Sequence, residues 1–218
     1  MMNRIFFKII LSGMFIFMTC FPLYADMSAK DIVNKVKKSY NKQNNIAVEF
    51  KQIFEWKLAG KTRETTGKLF IKDKNKYRIE MPQQTIVTDG KTLWQYSMAN
   101  QQVLIDVIQE KDENQLPSKM LFRYSEDYNV KLIGSEVFNG LPCYVLQLTS
   151  KTGDNFIQEM KTWIDKASWL TRKIENQDIN GNLNTYIIQA ITTNIKLQES
   201  LFTFKTPEGV QEVDLRVK

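Results

Sequence analysis

From Ile46 to Leu58 the chain changes period from that of a helix to that of a strand. Ile46, Val48, Phe50, Gln52, Phe54, Trp56 and Leu58 alternate with Ala47, Glu49, Lys51, Ile53, Glu55 and Lys57. A repeat of two puts the first set on one face of an extended strand, and that face is too apolar to be left in water. Ten more such segments follow: Thr65–Lys72, Lys76–Met81, Thr85–Thr88, Thr92–Tyr96, Gln102–Asp106, Asn129–Glu136, Pro142–Ser150, Phe156–Asp165, Trp169–Gln177 and Leu183–Thr193. Their links are mostly short. Gly60, the polar turn Asp73-Lys74-Asn75, and the pairs Asp89-Gly90, Asn139-Gly140 and Asn180-Gly181 supply turn chemistry. The pattern predicts one antiparallel meander of about eleven strands and a mainly β, single-domain fold.

Two stretches depart from the strand period. Ser28, with Asp31 three places on, reads as a helix start, and Ile32, Val33, Val36 and Tyr40 form a stripe at helical spacing up to the polar run Asn41 to Asn45. Between Val107 and Glu126 the alternation lapses, and Pro117 can open a short helix carrying Met120, Leu121 and Phe122. A sheet with so much aromatic area on one side buries it by curling into an unclosed antiparallel β-barrel, with short helices as a lid over an apolar cavity. A barrel packed solid with side chains satisfies the same periodicity.

Residues 1–25 have the order of a secretory signal peptide: Arg4 and Lys8, an apolar run from Ile9 to Phe21, then Ala25 before Asp26. The run is shorter than the ~20 residues a membrane span requires. An uncut anchor is the alternative. A lipoprotein cut before Cys20 would need a small residue where Thr19 stands. The expectation is a mature domain of residues 26–218 that works outside the cytoplasm. The whole sequence has 30 basic and 24 acidic residues, and loss of Arg4 and Lys8 leaves 28 against 24, a net charge of +4. These charges are dispersed rather than blocked, which argues against nucleic acid as a partner.

Histidine is absent, which removes His-based triads and almost every common zinc site. Cys143 is the one cysteine beyond the leader, so no intrachain disulfide is expected, and its apolar neighbours predict a buried thiol. Glu80, Asp89, Glu159, Asp165 and Asp178 are scattered, and Asp178-x-Asn180-Gly181 is too short for a calcium loop. No enzyme chemistry, cofactor or metal is expected. The candidates for a binding role are instead apolar. Phe50, Phe54 and Trp56 share a strand face, and Phe70, Ile79, Trp94 and Tyr96 on the following strands complete a candidate cavity lining. Met120, Leu121 and Phe122 are candidates for its lid, whereas Trp163 and Trp169 read as scaffold.

Several segments together resemble the periplasmic carriers of outer-membrane lipoproteins and the wider lipoprotein-sorting family. They are the first helix, Val48-x-Phe50-x-Gln52, Gly67-Lys-Leu69-Phe-Ile71-Lys72 and Ile86-Val-Thr-Asp89-Gly90-Lys-Thr-Leu93-Trp94-x-Tyr96. Phe202-Thr-Phe204-Lys-Thr-Pro207-Glu-Gly209-Val210 and Asp214 complete the set. The resemblance implies an unclosed barrel with a helix-lidded apolar interior. It also implies a monomer without cofactor or chemical step. Such a carrier takes acylated lipoproteins from an inner-membrane ABC lipoprotein-release complex and hands them to an outer-membrane lipoprotein receptor. The family carries Arg-Pro after the strand that here ends at Lys72, and that Arg helps hold the lid closed. This chain has Asp73-Lys74 there, with Arg78 nearby, so the latch region has reversed its first charge. A lipid-binding or envelope-sensing relative with another cargo, and a structural adaptor using only its outer surface, are the alternative readings.

Overall fold

The computed structural model describes residues 27–73, 75–108, 128–153 and 156–216. Helix α1 (Ala29–Asn41) begins where the cap residues dictate: Ser28 is extended, with φ −66° and ψ 152°, and its Oγ accepts the Asp31 amide at 3.1 Å. The buried residues of α1 are the expected stripe of Ile32, Val33, Val36 and Tyr40.

The strands are β1 (Asn45–Trp56), β2 (Lys61–Lys72), β3 (Lys76–Met81), β4 (Gln84–Thr88), β5 (Thr92–Ser97) and β6 (Gln102–Val107). They continue with β7 (Tyr128–Phe138), β8 (Leu141–Ser150), β9 (Ile157–Asp165), β10 (Thr171–Asp178), β11 (Leu183–Thr193) and β12 (Gln211–Asp214). All twelve form one sheet in the order β12-β6-β5-β4-β3-β2-β1-β11-β10-β9-β8-β7. β12 and β7 are its two edges, so among the described residues the sheet does not close. The eleven expected strands are present and antiparallel, but not as one meander: β1–β6 and β7–β11 are two meanders joined by the pairing of β1 with β11, with β6 and β7 on opposite sides of the sheet. The twelfth, β12, is an addition that pairs with β6 in parallel. Register shifts at Glu49/Phe50 opposite β11 and at Leu132/Gly134 opposite β8 add the local twist by which a wide sheet curls.

The inner face is the one on which side chains from both halves of the sheet meet α1. Ile46, Val48 and Phe50 of β1, Leu69 and Ile71 of β2, and Leu146, Leu148, Met160, Ile164 and Ile174 of β8–β10 share a core with Ile32, Val33, Val36 and Tyr40. The Tyr40 hydroxyl accepts the Thr171 amide at 3.2 Å, which ties the helix to the start of β10, and burial raises the phenol's pKa. α1 thus covers one end of the half-barrel and leaves the other as a mouth.

The outer face of β2–β6 has its own cover. The Lys72 ammonium donates to Leu197 O at 3.2 Å and to Glu199 Oε1 at 2.6 Å, Lys76 reaches Glu199 Oε2 at 2.9 Å, and Arg78 Nη1 reaches Leu201 O at 3.4 Å. These contacts hold a 3₁₀ turn (Glu199–Phe202) on the sheet, with Phe202 buried and Phe204 packed 5.8 Å from the Tyr96 ring. Val87, Val103 and Ile105, all buried, face this side. On the other half, the buried Cys143, Val145 and Trp163 form a small outer cluster, where Trp163 Nε1 donates to Glu136 at 2.7 Å and burial pushes the Cys143 thiol up.

The turn from β9 to β10 is organised by one buried carboxylate. Asp165 accepts from the Ala167 amide at 2.9 Å, the Ser168 hydroxyl at 2.7 Å and Arg172 Nη2 at 2.9 Å. Burial opposes its ionisation, yet these donors together hold its pKa below the usual carboxylate value. A lowered folded-state pKa contributes stability above the unfolded value and loses it as pH falls through the folded one. Asp165→Asn is therefore expected to lower the urea midpoint at pH 7, with a difference from the parent that shrinks below about pH 4. A pH-independent difference would assign the loss to packing.

Candidate functional site

β1 runs from the helix-covered end to the mouth, and the candidate residues lie in different environments along it. Phe50 belongs to the core. It is 6% exposed, its ring meets Tyr186 edge-on at 5.9 Å, and it lies over Gly67. A Cβ on Gly67 would stand 2.4 Å from Phe50 Cζ, so glycine is required there for close approach. Four residues on, Phe54 lies half-buried at the mouth and Trp56 is half-exposed at the strand end.

A cavity of about 490 Å³ opens at this end, lined by Gln52 and Phe54 of β1, Arg63 and Thr65 of β2, Met81, Gln83 and Gln84 at the β3–β4 turn, and Ser97, Ala99 and Asn100. A band of polar side chains crosses the inner face beside it. Gln52 Nε2 donates to Asn184 Oδ1 at 2.9 Å and to the Tyr186 hydroxyl at 3.3 Å, and Asn184 Nδ2 donates to the same hydroxyl at 3.0 Å. Burial raises the Tyr186 pKa against the Asn184 hydrogen bond, so the phenol stays neutral. Across the strands Asn176 and Thr162 are buried, with Asn176 Oδ1 and Thr162 Oγ1 lacking a partner. On β1 and β11 this band stands between the helix-covered core and an amphipathic mouth, in which the Phe54 ring is flanked by amides and one guanidinium, whereas on β8 and β9 the core continues past it through Leu148 and Met160.

The register does not bring all the expected lining residues together. Ile79 pairs with Leu69 and Ile86 and packs against the inner core, on the same face as Phe50 and Phe54. Phe70 pairs with Ala47 and Arg78, Trp94 with Val87 and Ile105, and Tyr96 with Thr85 and Val103. These three side chains are on the outer face, on the side that the C-terminal segment covers, which corrects their placement in the interior. Alternation alone could not reveal this, because both faces of β5 are covered and both carry large apolar residues. Gln52 could have been noticed in the sequence as the one polar member of an apolar strand face. Arg63 and Gln84 reach the cavity only through register and left no such sign.

The latch region is at the helix-covered end. Asp73 is exposed with φ +52°, and its amide donates to Asn44 O at 3.3 Å. Arg78 is on the outer face, held by Glu80 at 2.6 Å and by Leu201 O. Lys74 and the lid residues Met120, Leu121 and Phe122 lie outside the described residues. Asp73 suits a left-handed turn position, which costs a longer L-residue roughly 1–2 kcal/mol. Asp73→Arg is expected to lower the melting temperature by a few degrees, and dye access to the cavity is expected to be unchanged. Slower dye entry in that variant would place a charge-governed latch at this turn.

Among the described residues no group of Cys, Asp and Glu could hold a metal ion, and no helix is long and apolar enough to cross a membrane. A sequence model described as outer membrane lipoprotein carrier protein LolA matches residues 41–205. An uncharacterized protein of Methanocaldococcus jannaschii is 27% identical over 188 residues, covering 85% of this chain and 53% of that protein, so this chain spans about half of its length. An outer-membrane lipoprotein carrier protein of Haemophilus influenzae is 29% identical over 197 residues, covering 89% of this chain and 92% of the relative. The crystal structure of an uncharacterized conserved protein from Thermus thermophilus superposes with a TM-score of 0.59 at 14% identity, covering 85% of this chain and 98% of that one, a likeness of fold. With a family match across most of the open sheet and a cavity at its mouth, the chain belongs to the outer membrane lipoprotein carrier protein family, a periplasmic family of transport proteins without a catalytic step.

Proposed function

We propose that this protein is a periplasmic chaperone that shelters the acyl chains of lipoproteins and carries them from the inner to the outer membrane. The observation that supports it most is the cavity of about 490 Å³ on the inner face, at the end α1 leaves uncovered, with Phe54 in its wall. That volume falls in the ~300–1,000 Å³ range of small-ligand sites. Acyl chains suit such a site because each buried methylene contributes ~0.8 kcal/mol with little demand on geometry. Met120, Leu121 and Phe122 are assigned to a lid over the chains, and residues 1–25 to a signal peptide removed before Asp26. The cargo would be received from an inner-membrane ABC release complex and passed to an outer-membrane receptor, with the protein acting as a monomer.

The test is native mass spectrometry of the protein recovered from a periplasmic extract. The expected result is a chain beginning at Asp26 with co-purifying acylated polypeptide. Recovery of free lipid alone would favour a lipid-binding relative, and an empty protein that also fails to bind a synthetic acylated peptide would overturn the carrier reading.

A further inference from the structure

The nine exposed large hydrophobic side chains among the described residues are unevenly placed. Five of them are at the mouth end of the sheet, Trp56 at the end of β1 and Leu58, Met98, Phe156 and Ile179 on the turns. The turns are neighbours. The Ile179 amide donates to Phe156 O at 2.9 Å, and the Lys57 amide donates to Asn182 Oδ1 at 3.1 Å. Met98 follows Ser97 and precedes Ala99, both of which line the cavity. Leu58, 85% exposed at the tip of the β1–β2 hairpin, projects furthest from any packing. A lone exposed leucine needs no explanation, but a fringe of them around one opening does.

Charge indicates what the fringe meets. From Trp56 to Arg63 the hairpin carries Lys57, Lys61 and Arg63 and no acid. Of the carboxylates near it, Asp178 is engaged by the amides of Asn180 and Asn182 and by Asn182 Nδ2, Glu64 is paired with Lys51, and Glu55 precedes Trp56. Trp and Leu beside lysines on a hairpin tip suit the boundary of a bilayer. There the indole sits at headgroup level, and the cations meet anionic lipid.

We infer that the mouth rim is a membrane-docking surface: Trp56, Leu58, Phe156 and Ile179 enter the interface of an anionic bilayer while Lys57 and Lys61 meet its headgroups. Docking in this orientation holds the cavity mouth at the bilayer surface, so cargo changes hands there with little exposure of its acyl chains to water. The surface does not depend on what the cavity carries.

The experiment is flotation of the protein recovered from the periplasm with vesicles of phosphatidylcholine alone, or of phosphatidylcholine mixed with phosphatidylglycerol. Binding is expected to the mixed vesicles and to weaken with salt. Leu58→Glu is expected to reduce it about tenfold or more, and Lys57→Glu with Lys61→Glu about fivefold for each cation lost. All three positions are exposed, Lys57 and Leu58 in the turn and Lys61 at the first residue of β2, and circular dichroism checks that the fold is kept. Absence of binding by the parent protein, or equal binding by the variants, overturns the inference, and so does docking that requires a protein receptor. Acylated-peptide binding by the same preparations separates the two readings: intact peptide binding without vesicle binding removes the rim and leaves the carrier function.

Discussion

Phe50→Ala is expected to destabilise the protein by about 3–5 kcal/mol. In a domain of this size that lowers the melting temperature by roughly 6–20 °C. The reason is its place in the sheet. β1 is flanked by β2 and β11 near the middle of the strand order, and Phe50 is the last buried residue on its inner face before the mouth. Its ring fills the space left by Gly67 and meets Tyr186, so truncation opens a void that neither backbone can close. Thermal unfolding followed by circular dichroism measures it. A shift under about 2 °C would mean that the ring moves freely and belongs to the cavity rather than the core.

Phe54→Asp is expected to produce the opposite balance. Phe54 lines the cavity and is only half-buried, so its removal is expected to cost the fold about 1 kcal/mol. Its direct cross-strand neighbour is Arg63, which can pair with the introduced carboxylate. Cargo binding, however, loses the contact of an aromatic ring and gains a charge that an acyl chain would have to desolvate. The first loss alone is ~1.5–3 kcal/mol, so affinity for an acylated peptide is expected to fall about tenfold or more. A folded variant with unchanged peptide affinity would take Phe54 out of the site. The pair of variants separates a residue that builds the half-barrel from one that serves it.

Much of the architecture was legible because its causes are local. The α1 stripe follows from a period of 3.6 behind a Ser28 cap, and the inner face of β1 follows from a period of two. The hairpin at Asn139-Gly140 follows from two residues that accept positive φ, 48° and 77° here. The buried Cys143 followed from apolar neighbours. The C-terminal cover was not legible. Residues 197–204 have no period, and they are held by lysine and arginine contacts to carbonyls and to Glu199 that no spacing announces.

By itself, then, the sequence determined the strand segments, the antiparallel hairpins within β1–β6 and within β7–β11, the helix α1, and the alternation within each strand, whereas the joining of the two runs through β1 and β11 is tertiary. The tertiary structure alone decided which of a strand's two faces is the interior. Phe50 pairs with Gly67, so β2 turns Leu69 and Ile71 inward and Phe70 outward, and the same relation carried through Ile79 and Ile86 sends Trp94 and Tyr96 out. Alternation sorts residues within one strand, whereas the sidedness of its neighbour depends on register, and a slip of one residue reverses it. When both faces of a sheet are covered, composition cannot break that tie, and only packing against α1 on one side and the C-terminal segment on the other does.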